Sequence, residues 1–74
     1  MSKLPSLTGK VLIRALKNLG FEEIRIKGSH HFLKHHDNRC TVVPVHSGET
    51  IGKGLLAQIL KDCEIPRKDL LKQL

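Results

Sequence analysis

Gly28-Ser29-His30-His31 sets a turn-forming pair directly before an imidazole. It lies between a basic β-like run, Ile24-Arg25-Ile26-Lys27, and a second run through Leu33 and Lys34. Imidazole, with an ordinary pKa of about 6.5, both takes and gives a proton near neutrality. His30 at a strand start is therefore a candidate general acid or base, although from spacing alone a surface or half-buried histidine is the commoner meaning of such a position. Arg25 and Lys27 before the turn, and Lys34 after it, could hold phosphates near His30; they suit a solvated strand face nearly as well. Ser29 can donate to a phosphate oxygen or, more commonly, cap a backbone group of the turn.

A metal centre is the competing use of these side chains, since all five histidines fall between positions 30 and 46. Adjacent histidines on a strand point to opposite faces, and no set of His30, His31, His35, His36, His46 and Cys40 has the spacing of a zinc site. No metal or other cofactor is expected. His35 and His36 read as a solvated strand end.

Composition narrows the class. A chain of 74 residues makes one domain with a small core. It has no Trp or Tyr and only two Phe, Phe21 and Phe32, so the interior is built from Leu, Ile and Val, and a base-stacking RNA platform, which needs exposed aromatics, is not expected. The formal charge of +6 points to a polyanion, nucleic acid first, or to an acidic protein. Cys40 and Cys63 form no CxxC pair, the first five residues carry no apolar secretory segment, and no run approaches a membrane span of roughly 18 apolar residues. Free thiols and a cytoplasmic location are expected.

The elements that must position His30 are legible from periodicity. Thr8 is placed to cap a helix over 9–19, with Val11, Leu12, Ala15, Leu16 and Leu19 on one face, a basic stripe of Lys10, Arg14 and Lys17 on the other, and Gly20 ending it. Over 21–27 the period becomes two, with Ile24 and Ile26 on one side and Arg25 and Lys27 on a wet side. Gly28-Ser29 turns the chain into a second strand, 30–36, in which Phe32 and Leu33 face opposite ways and either could be core. Asp37-Asn38 turns it again into 40–45, where Pro44 marks an edge or an end.

A polar loop, 46–50, leads to a second helix with an apolar stripe of Ile51, Leu55, Leu56, Ile59, Leu60 and Cys63. Gly52 and Gly54 predict either a frayed start there or close approach of something to the backbone. Pro66 opens a short final helix, 67–74, carrying Leu70, Leu71 and Leu74. The sum is an α+β sandwich, a three-strand meander covered on one face by two helices.

Arg25-Ile26-Lys27-Gly28-Ser29-His30-His31, followed by Thr41-Val42-Val43-Pro44-Val45-His46-Ser47-Gly48 and the helix from Ile51 to Leu60, closely resembles the HicA (YcfA-like) toxin family over nearly the whole chain. The resemblance implies a double-stranded-RNA-binding-domain-like fold, α-β-β-β-α, with a three-stranded antiparallel sheet, two helices on one face and a short C-terminal helix. It implies a metal-independent mRNA interferase, an endoribonuclease of a type II toxin-antitoxin system, neutralised by a HicB-type antitoxin. The family's catalytic histidine follows Gly-Ser and maps onto His30; His46 matches the histidine after Val-Pro-Val, with a structural or substrate-orienting role. Free toxin is then a monomer that joins a larger complex. A non-catalytic RNA-binding module of the same fold is the alternative.

Overall fold

The computed structural model describes residues 5–74; positions 1–4, part of the lead read above as free of a secretory segment, lie outside the described residues. Element order is α1 (Gly9–Asn18), β1 (Phe21–Lys27), β2 (His30–His35), β3 (Cys40–Pro44), α2 (Lys53–Cys63) and α3 (Arg67–Leu71). The strands form one antiparallel sheet in the order β1-β2-β3, with the expected helices on one face. The strand that begins with His30 is thus the central one. Among the described residues no helix is long and apolar enough to cross a membrane.

α1 starts where the Thr8 hydroxyl accepts from the Val11 N–H at 3.3 Å, satisfying one of the donors a helix start leaves free. It buries Leu12, Ile13, Ala15 and Leu16 and ends at Leu19, with Gly20 at φ +100°. Its first turn lies hard against the end of β3. A Cβ on Gly9 would stand 2.5 Å from the Pro44 carbonyl oxygen, so this contact accepts only glycine. The chain before α1 is also tied down, because the Ile51 N–H donates to the Leu7 carbonyl at 2.6 Å.

Leu12, Leu16, Leu33, Val43, Ile59, Cys63 and Leu70 are fully buried and form the centre of the core. By register the buried strand positions Phe21, Leu33, His35, Thr41 and Val43 share one face, and α1 packs on β1 and β3 while α2 packs on β3. This settles the choice the alternation left open: Leu33 is core, and half-buried Phe32 lies on the other face.

Three expectations need correction. Ile24 and Ile26 are 58% and 56% exposed rather than core: Ile24 lies at a β-bulge between Glu23 and Arg25, where β1 has an extra residue opposite β2, and Ile26, opposite His31 on the helix side, lies near the strand end, where it stays uncovered. His35 is buried rather than solvated: its ring stands edge-on to Phe21 at 5.1 Å, and a Cβ on Gly20 would meet its Nε2 at 2.7 Å. His36 beside it is exposed. α2 begins at Lys53 with Gly52 as its cap, Leu55 points outward at 40% exposed, and a Cβ on Gly52 or Gly54 would meet nothing within 4 Å. Close packing inside the fold therefore does not explain these two glycines. Pro66 caps α3 from just outside it, and α3 stops at Leu71.

The β2–β3 turn is fastened by a local ion pair. Asp37 accepts from the Arg39 Nε–H at 2.9 and 3.0 Å and from the Arg39 backbone N–H at 3.1 Å. The same guanidinium lies 5.3 Å from the centre of the Phe21 ring and donates to the Cys63 carbonyl at the end of α2. The Arg39 bonds hold the Asp37 carboxyl at about 2, below its ordinary 3.8. A carboxyl whose folded pKa is depressed stabilises the fold above its unfolded pKa and loses that contribution as pH falls through the folded one. The parent is expected to melt higher than Asp37→Asn at about pH 6, and the gap to close between about pH 4 and pH 2. A gap still open at pH 2 in thermal unfolding would remove this pair from the acid sensitivity of the fold.

Candidate active site on the open sheet face

The sequence Lys27-Gly28-Ser29-His30 closes β1 onto β2 with a two-residue turn. Gly28 takes φ +59° while Ser29 stays at negative φ, as in a tight hairpin whose first central residue must be glycine. The turn pairs Lys27 with His30, and β3 brings Pro44 to the other side of His30. The ladder runs one step further, since the Val45 N–H donates to the Ser29 carbonyl at 2.8 Å. His30 is thus exposed at the head of the central strand, with its backbone held from both sides.

Register then decides who shares its face. His30, Phe32 and Lys34 alternate along β2 on the side away from the core, and directly opposite them on β1 stand Lys27, Arg25 and Glu22. The bulge at Ile24 brings this about: without it Arg25 and Lys27 would keep the parity of buried Phe21, on the core side. All three expected cations therefore lie exposed on the face of His30. Ser29 is half-buried in the turn, and its backbone carbonyl accepts from the Val45 N–H. His46 is exposed two residues beyond Pro44, at the start of a turn closed by the Glu49 N–H on the His46 carbonyl at 3.0 Å. It sits at the same end of the sheet as His30.

His31 points the other way. Half-buried on the helix side, its Nδ1 bonds the Glu23 carboxylate, which also lies 3.8 Å from the Lys17 ammonium. The His31 hydrogen bond holds the Glu23 carboxyl below the usual carboxylate range. Sequence reading missed this pair, and the signal was present: apolar residues switch parity between Phe21 and Ile24, which an unbroken strand cannot accommodate on one buried face. Opposite orientation also separates His30 from His31 as potential joint ligands, and no group of three or more His, Cys, Asp or Glu among the described residues is arranged around a common metal position.

The cysteines differ. Cys63 is fully buried, and burial pushes its thiol up to about 12, while Cys40 is exposed opposite Lys34 on the open face. Both are free, and Cys63 serves as a small core residue.

An α-β-β-β-α domain with helices on one sheet face, and on the other a solvent-facing histidine among cations, belongs to the double-stranded-RNA-binding-like class of small α+β folds. The chain is a member of the HicA toxin family: the model of the HicA toxin of bacterial toxin-antitoxin systems matches residues 9–65. No curated protein matches it.

Proposed function

We propose that the protein is the toxin of a type II toxin-antitoxin pair, a metal-independent endoribonuclease that cuts messenger RNA in the cytoplasm with His30 in the chemistry. The observation that carries this reading is the position of His30: exposed at the head of the central strand, on the face that also holds Arg25, Lys27 and Lys34.

Cleavage without a metal uses the RNA's own 2′-hydroxyl. Its oxygen attacks the adjacent phosphorus, the bond from phosphorus to the 5′-oxygen breaks, and the products are a 2′,3′-cyclic phosphate and a 5′-hydroxyl. One proton leaves the 2′-oxygen and one reaches the departing 5′-oxygen; His30 serves one of these transfers, with water supplying the other. Arg25, Lys27 and Lys34 hold the phosphate and offset its gathering negative charge. His46, at the same end of the sheet, orients the RNA. With a single imidazole carrying the proton, the enzyme is a slow one.

The test is incubation of the purified protein with plain single-stranded RNA in EDTA, with binding followed in parallel. Fragments ending in 2′,3′-cyclic phosphate are expected. Tight binding without any cleavage, on plain RNA and on ribosomes carrying a message, would leave a non-catalytic RNA-binding module.

The natural antagonist in this reading is a HicB-type antitoxin that covers His30 on the otherwise monomeric toxin. A cationic face is best met by an acidic one, because complementary charge speeds encounter and fixes orientation. The association rate of toxin with antitoxin is expected to fall at least tenfold between about 50 and 500 mM salt, as the Debye length shrinks. A rate indifferent to ionic strength in stopped-flow mixing would show that charge does not guide the encounter.

A further inference from the structure

The open face is not uniformly basic. Two residues along β2 from His30, and on the same side, stands Phe32, the only phenylalanine there among the described residues, with Val42 directly opposite on β3 and Arg25 directly opposite on β1. The Arg25 guanidinium carbon lies 5.9 Å from the centre of the Phe32 ring. Ile24, Phe32, Lys34 and Val42 also line part of a groove of about 810 Å³ that continues to Leu55, Ile59 and Asp62 of α2. Ile24 is 58% and Leu55 40% exposed, a cost in apolar surface that the fold itself does not repay.

We infer that Phe32 and Arg25 form a binding site for one unpaired nucleobase of the RNA whose neighbouring phosphate sits at His30. The inference rests on the RNA-cleaving reading above and adds to it how the strand is seated. Charge favours RNA as the occupant: Arg25, Lys27 and Lys34 share the face of Phe32 and suit a phosphate backbone, while Phe32 and Val42 offer apolar surface that suits a flat, uncharged base. His30 and Phe32 are about 6.6 Å apart along the strand, two residues at 3.3 Å each, so adjacent nucleotides of one strand can reach both.

A base sandwiched between ring and guanidinium needs about 7 Å, two contact distances of roughly 3.5 Å. The exposed Arg25 therefore has to swing out by only about 1 Å. One aromatic makes a site for one base, consistent with a chain too poor in aromatics for a platform.

The site is tested with two oligonucleotides of equal length, a 2′-O-methyl oligoadenylate, which cannot be cut through its 2′-oxygen, and the same backbone with abasic positions. The parent is expected to bind the base-bearing strand about 5- to 100-fold more tightly. Phe32→Leu, which keeps an apolar side chain and so the fold, should lose most of that preference without changing affinity for the abasic strand. Arg25→Lys, which keeps the charge but not the planar group, should lose part of it.

Equal binding of the base-bearing strand by the parent and Phe32→Leu overturns the base site while leaving the ribonuclease reading intact. If Phe32→Leu instead weakens only the grip of an acidic antitoxin, the groove is a protein-docking surface and the inference likewise falls. A parent that binds neither strand overturns both this inference and the reading beneath it.

Discussion

The His30→Ala protein is expected to cut RNA about 10²- to 10⁴-fold more slowly than the parent while binding the same RNA with nearly unchanged affinity. Positioned general acid or base help is worth that range, and loss of the imidazole removes it outright. The fold has little stake in the side chain, because His30 is exposed and its pairing with Lys27 and Pro44 is through the backbone, which alanine retains. In the proposed reading affinity comes instead from the cations, which stay in place. The measurement is a single-turnover time course in EDTA beside fluorescence anisotropy of an uncleavable analogue. An unchanged rate would take His30 out of the chemistry, whereas equal losses in rate and affinity would make it a phosphate anchor.

Leu33→Ala is expected to cost about 2–5 kcal/mol, the usual toll for a buried leucine whose cavity cannot collapse. Leu33 has no exposed surface and sits on the middle strand, between Glu23 and Thr41 in the register. In a domain of this size each kcal/mol moves the melting temperature by about 4–8 °C, so a fall of at least about 8 °C in circular dichroism melting is expected. The neighbouring change Phe32→Leu, on the open face, should cost less than about 1.5 kcal/mol. A fall at Phe32 as large as that at Leu33 would mean that the two sheet faces are assigned the wrong way round.

Most of the scaffold was legible because it is local. The Thr8 cap, the 3.6-residue period of α1, Gly20 at its end, the Gly28-Ser29 hairpin and the Asp37-Asn38 turn are each specified by residues within a few positions of one another. They appear where the periodicity and turn chemistry put them, α1 ending at Asn18 with Leu19 as its cap. The Gly-Ser-His and Val-Pro-Val-His elements pointed to the HicA family, and the match over residues 9–65 agrees.

Other features were not local. His35, read from its polar neighbours as solvated, is covered by Gly20 and Phe21, which are brought to it only when β1 pairs with β2. The apolar stripe assigned to α2 overreached at Leu55, since periodicity marks a helix face but not how far the sheet extends beneath it. Ile24 and Ile26 looked like core because apolar alternation was equated with burial, whereas how far the helices cover β1 is set by the tertiary packing.

By itself, then, the sequence determined the number and order of the elements, the hairpin that sets His30 at the head of a strand, and a basic, aromatic-poor surface. Each of these follows from short-range sterics, periodicity or summed charge. Only the tertiary structure decided which face each side chain joins. A single extra residue in β1 reverses the parity of everything after it, placing Arg25 and Lys27 beside His30 and Phe32, while Glu23 stays behind to meet His31 on the buried side. Cross-strand register is an agreement between distant segments, and no one segment carries it alone.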